Sequence, residues 1–216
     1  MRKLWLLALV PLVIWGSKDY LWHTSNKVVA TKVNKLELAT MPPLPSLQVG
    51  DVILRMGVGA DSYIIASTAN SNYSHVGVIS SISPDILITH ASTEDDPPAN
   101  FNGVSTIALQ DFIAQGQRIA IVRYRSFSAQ EQEQIAHFLH SKEGQTFVLS
   151  NDPEALYCTI LAIRALEPYV NLALKSQKLN IPLLTGDYYM PQAFLDDAQA
   201  HCIYEYPKKE DLHLHH

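Results

Sequence analysis

Charge and sulfur are both scarce in this sequence, and each scarcity excludes something. Charged side chains make up 17% of the 216 residues, the net charge is −5 and no long basic run occurs. Nucleic-acid binding led by phosphate contacts is thereby set aside, because it needs a lysine- and arginine-rich face. The only cysteines are Cys158 and Cys202, too far apart in sequence for a Cys-x-x-Cys zinc pair. No internal repeat or low-complexity segment occurs, so neither a solenoid nor a disordered chain is expected. Hydrophobic residues, at 47%, instead suit one packed domain with a leader or tail.

Arg2 and Lys3 precede an apolar run from Leu4 to Trp15. A basic start followed by such a run is the pattern of an export signal. The run falls short of the ~20 residues that cross a bilayer unaided. No small-x-small cleavage site follows Gly16-Ser17, so residues 1–20 read either as a signal peptide or as a retained membrane anchor. The protein is expected in the periplasm or cell envelope, free or tethered to the inner membrane. Residues 21–46, ending in Met41-Pro42-Pro43-Leu44-Pro45-Ser46, read as a linker, because proline favours extended backbone. The folded domain is expected over 47–206 and a tail over 207–216, with His213, His215 and His216 in a frayed end. An even pair of cysteines in an exported chain invites a disulfide, although one bridge is sparse stapling for so apolar a domain.

Within the domain, short β-branched runs are split by Gly, Pro, Ser and Asp. The runs are Val49–Met56, Ser74–Ile82, Asp85–Thr89, Val104–Leu109 and Arg118–Tyr124. Such spacing predicts an antiparallel sheet or small barrel. Ala60–Ala69 reads as a helix packed on it. A clearer helix opens at Ser128-Ala129-Gln130-Glu131, which has capping-box spacing, with Ile135, Phe138 and Leu139 on one face. Another helix carries Cys158; its start lies either at Asp152-Pro153-Glu154 or near Leu156. Only the second register brings the sulfur to the helix N-terminus, where the dipole helps to hold a thiolate.

Two distant residues then attract attention. His75 opens a strand-like run, Ser74-His75-Val76-Gly77-Val78-Ile79, and Cys158 opens a helical one, Tyr157-Cys158-Thr159-Ile160. A thiol near pKa 8.5 is mostly protonated at neutral pH and needs a partner imidazole to become a nucleophile. His90, in Ile88-Thr89-His90-Ala91-Ser92, falls one hairpin beyond His75, with the turn near Ser83-Pro84-Asp85. Adjacent antiparallel strands could hold the two rings side by side. Asp51 and Tyr73 read as structural, and Glu94-Asp95-Asp96 as a solvated loop bordering the cleft.

Three pieces of this stretch resemble the NlpC/P60 family of papain-like cysteine hydrolases. Val49-Gly50-Asp51-Val52-Ile53 is similar to its Gly-Asp strand, Ser74–Ile79 to its catalytic-histidine strand, and Ile88–Ser92 to the next strand, where a polar residue orients that histidine. No cysteine precedes His75 here. The order, histidine strand first and Tyr157-Cys158-Thr159 late, resembles the circularly permuted branch of YiiX-like and YebB-like enzymes. Gly144-Gln145-Thr146-Phe147 is similar to that branch's Gly-x-x-Tyr, with Phe for Tyr. The resemblance implies an α+β papain-like fold, permuted, with a small antiparallel sheet or barrel packed with helices. It implies catalysis by Cys158, His75 and His90 with no cofactor or metal, on amides such as cell-wall peptides. Lipid-like esters or amides, hydrolysed or transferred, are a second substrate class. Ile160 stands where relatives carry Glu, which leaves open an inactive envelope-binding module. Cys158, His75 and His90 are also possible zinc ligands. Expected partners are a peptide or acyl substrate and, through the N-terminus, a membrane, with no nucleic acid.

Overall fold

The computed structural model describes residues 34–93, 101–152, 154–181 and 184–208. The chain divides between Val33 and Asn34, and all described residues belong to the second unit. The leader, the Glu94-Asp95-Asp96 cluster and the three C-terminal histidines lie outside them. No helix among the described residues is long and apolar enough to cross a membrane.

In chain order the elements are β1 (Val52–Gly57), α1 (Ala60–Thr68), β2 (His75–Ser81), β3 (Leu87–Ser92), β4 (Gly103–Ala108), α2 (Leu109–Ala114), β5 (Gly116–Arg123), α3 (Ala129–Ser141), α4 (Cys158–Leu166), β6 (Gln177–Ile181), β7 (Leu184–Tyr188), α5 (Ala193–Asp196) and β8 (His201–Tyr206). Six strands form an antiparallel sheet in the order β4-β3-β2-β1-β5-β8, and β6 and β7 form a separate hairpin. The main sheet is open, so of the two architectures expected it is the sheet that forms and not the barrel.

Both faces of the sheet are buried, which is why its strands read as near-continuous apolar runs. Val52, Leu54, Val76, Val78, Ala120 and Val122 point to one face, where α3 and α4 pack through Ile135, Leu139, Leu161 and Leu166. Ile53, Ile79, Ile88, Ile119 and Ile121 point to the other, covered by Phe112 and Ile113 of α2. Alternate side chains of a strand leave on opposite faces, so a one-residue slip would exchange the two sets and is strongly disfavoured. Leu36 and Met41 are also buried in the second cluster, and the Leu36 N–H donates to the Gly116 carbonyl. Residues 34–46 are therefore not a free spacer: their apolar side chains find the sheet face that α2 leaves uncovered. Ser128 and Glu131 cap α3 reciprocally.

Gly50 and Asp51 set the entry to β1. Gly50 has φ +92°, and a Cβ there would come within 2.7 Å of the Phe127 ring. Asp51, fully buried, accepts from the Gln48 N–H at 2.9 Å and from two nitrogens of Arg123 at 2.8 and 2.6 Å. Replacing one partner of a buried ion pair leaves the other charge uncompensated and costs ~3–5 kcal/mol. Arg123 keeps 24% of its side-chain surface, which softens that loss. Asp51→Ala is expected to lower stability by about 2–3 kcal/mol, read as a shifted urea midpoint with an unchanged slope.

Candidate active site

His75 is the first residue of β2 and half-buried; His90 lies on β3 and is fully buried. Val78 faces Thr89 and Ile79 faces Ile88, so the continuing register sets His90 across from Gly77 and diagonal to His75. A Cβ on Gly77 would come within 2.5 Å of Ile88 and 3.4 Å of His90. The missing side chain makes room for Ile88 and for the edge of the Phe112 ring, 3.2 Å from where that Cβ would stand. His75 Nε2 then meets His90 Nδ1 at 2.8 Å, with the rings edge to face. Phe112 packs on both, its ring centroid 5.8 Å from that of His75 and 5.5 Å from that of His90. Ser105, directly opposite His90 on β4, lies 3.4 Å from its Nε2.

Only one of two facing ring nitrogens carries the shared proton. With it on His75 Nε2, His90 Nδ1 accepts, His90 Nε2–H faces Ser105, and His75 Nδ1 keeps the lone pair a base requires. The third group in the row thus fixes the tautomer of the first.

Cys158 is the first residue of α4, after Tyr157 as N-cap. This decides between the two helix starts, since Asp152 instead accepts from the Glu154 N–H in a tight turn. The sulfur lies 3.8 Å from the Thr159 hydroxyl. The helix packs against β2, the strand that His75 opens. Cys158, His75, Tyr157 and Thr159 line one cavity of about 290 Å³.

The family model for permuted papain-like amidase enzymes, the YaeF/YiiX, C92 family, matches residues 46–204. The chain belongs to that family. A crystal structure of the metalloprotein yiiX from Escherichia coli O157:H7 has the same fold, with a TM-score of 0.61 at 20% identity, covering 73% of this chain and 97% of that one. No curated protein matches the chain. Membership makes this a cysteine amidase fold, and the late position of Cys158 follows from the permutation.

Arg55 is the residue that the sequence reading missed. It faces His75 across the β1–β2 pair, is 3% exposed, donates from Nη1 to the Phe112 carbonyl at 3.0 Å and stacks 4.5 Å over the Phe112 ring. An arginine inside the apolar run Val52-Ile53-Leu54-Arg55-Met56 was the available signal, since such a charge is rarely buried without a purpose. Its guanidinium disfavours an imidazolium and favours a thiolate. Burial pushes His75 well below its usual value, and Arg55 adds to that. Burial also pushes the Cys158 thiol up, against Thr159 and Arg55. Both shifts favour the neutral forms, thiol and imidazole, against the ion pair that a helix N-terminus alone would favour.

The other residues singled out divide cleanly. Tyr157 lines the cavity, accepts from the Tyr189 N–H at 3.2 Å and is pushed up to about 12 by burial. Tyr73 is structural, donating to Glu205 at 2.8 Å. Ile160 packs against core side chains. Cys158 and Cys202 are both free, so the disulfide reading does not hold: Cys202 sits exposed on the edge strand β8, opposite Val122. Peptide-resolved alkylation with iodoacetamide is expected to show Cys158 reactivity rising with pH, with a midpoint above the ordinary thiol value. Arg55→Met is expected to move that midpoint higher still, because the charge that favours thiolate is gone.

Proposed function

We propose that this protein is an exported thiol hydrolase that cleaves amides of the cell envelope through Cys158, His75 and His90. The observation that carries the reading is that Cys158 and His75 line one cavity, with His90 held 2.8 Å from the His75 ring. It supplies a nucleophile, a base and an orienting group at one cavity wall.

Cys158 Sγ attacks the amide carbonyl as its proton passes to His75 Nδ1, and a C–S bond forms. The oxyanion gathers at the N-terminus of α4, where backbone N–H groups lack helical partners and Tyr157 provides no side-chain cap. His75 then gives its proton to the departing amine as the C–N bond breaks, leaving a thioester. Water, deprotonated by His75, releases the carboxylic acid and restores the thiol. His90 stays neutral throughout and holds the His75 ring.

The E. coli relative in the fold comparison is described as a metalloprotein. The residues here do not fit that chemistry: His75 Nε2 and His90 Nδ1 face each other, and among the described residues no group of three or more His, Cys, Asp or Glu could hold an ion. The basic start and apolar run of residues 2–15 support export and a membrane contact through the N-terminus. The low net charge offers a nucleic acid nothing to hold.

Purified peptidoglycan and a panel of N-acyl amides, incubated with the full chain, test the reading. Turnover is expected, with a thioester on Cys158 seen by mass spectrometry, and Cys158→Ala is expected to abolish both. Ligand retained without turnover would mark a non-catalytic binding module, to which Ile160 in place of Glu lends itself. His90→Ala is expected to lower kcat/KM about 100-fold, the scale of losing a catalytic group's orientation. Because His75 is held below its usual value, activity is expected to persist through pH 6 to 7 and fall only where the imidazole protonates. Arg55→Met removes a neighbouring positive charge, raises the His75 value and is expected to move that acid limb to higher pH.

A further inference from the structure

The cavity that receives Cys158 and His75 has a wall unsuited to a charged peptide. Ile64, Ile65, Leu149, Leu179, Leu184 and Met190 line it, gathered from α1, the segment before α4, the β6–β7 hairpin and the loop after it. Among the described residues, the side chains of permanent charge on it are Arg55, buried under the Phe112 ring, and Asp61, which is exposed. Ser92 adds a neutral contact: its hydroxyl is buried and has no hydrogen-bond partner among the described residues. A peptide stem carries carboxylate and ammonium groups, and burying each without a partner is costly. An aliphatic chain leaves nothing unpaired on such a wall.

We propose that the amide cleaved carries an apolar acyl chain, that the chain lies in this cavity, and that it remains there as the thioester on Cys158. The inference rests on the hydrolase reading above. The acyl side is assigned because the amine must depart and water must replace it midway, whereas the acyl group stays through both half-reactions. The apolar wall suits the part that stays. The amide head then sits between the start of α4 and the buried Ser92 hydroxyl, which can meet a neutral carbonyl or N–H.

The test uses the full chain and N-acyl amides of one fluorogenic amine, with acyl groups from acetyl to dodecanoyl. N-acetyl-alanyl and γ-glutamyl amides of the same amine serve as comparators. The expected result is a kcat/KM that rises about 4-fold per added methylene until the cavity is filled, the effect of burying one CH₂. Leu184→Trp, which takes up part of the cavity, is expected to move the optimum to a shorter chain. Binding of the same series to Cys158→Ala, followed calorimetrically, is expected to tighten by the same factor per methylene. Tightening without turnover in the parent would uphold the acyl cavity and reject the hydrolase. Turnover that ignores acyl length, follows the length of the amine, or is fastest on the γ-glutamyl amide would overturn the acyl proposal and leave the hydrolase standing. Neither turnover nor length-dependent binding would overturn both.

Discussion

The 2.8 Å contact between His75 and His90 depends on β2 and β3 being held in one register, and that register is set by burial on both faces. Valines and alanines face α3 and α4, while isoleucines face Phe112. Shifting either strand by one residue would drive His75 and His90 through the sheet to the opposite side. The core therefore acts on the chemistry directly: the same alternation that excludes water from two faces keeps two imidazoles on one. Gly77 leaves space that Ile88 and the Phe112 ring occupy, and Phe112 in turn packs on both imidazoles.

Burial that fixes the geometry also sets the charges. A neutral thiol beside a neutral imidazole is the cheap resting state in a low dielectric, and Arg55 leans the balance against the imidazolium while favouring the thiolate. The chain belongs to a permuted family, and in it the helix that Cys158 opens follows both strands that carry the histidines.

Much of this was legible in the sequence, for identifiable reasons. The five runs expected as strands appear as β1 to β5, because β-branched residues between turn formers leave few alternatives. The capping box at Ser128 marked α3, and the Tyr157-Cys158-Thr159 run lies at the start of α4. What stayed hidden depends on long-range packing. The hairpin β6–β7 begins Gln177-Lys178-Leu179-Asn180, whose side chains announce no buried strand. The β8 strand, His201–Tyr206, alternates too little to be separated from a loop. Residues 34–46 look like a proline-rich spacer until the sheet face they cover is known. Arg55 was hidden by its company, since a charge amid aliphatics reads as a strand edge until Phe112 is seen stacked on it.

The β6–β7 hairpin stands apart from the six-stranded sheet yet contributes Leu179 and Leu184 to the cavity. Two-stranded ribbons are marginal by themselves, and this one leans on Tyr157 and Ala155 through its own small cluster. Divergence among homologues can then proceed by swapping or trimming the ribbon while the strands bearing both histidines are left untouched. The lining that the ribbon contributes is thus separate from the sheet that holds the two imidazoles, and a change in one need not disturb the other.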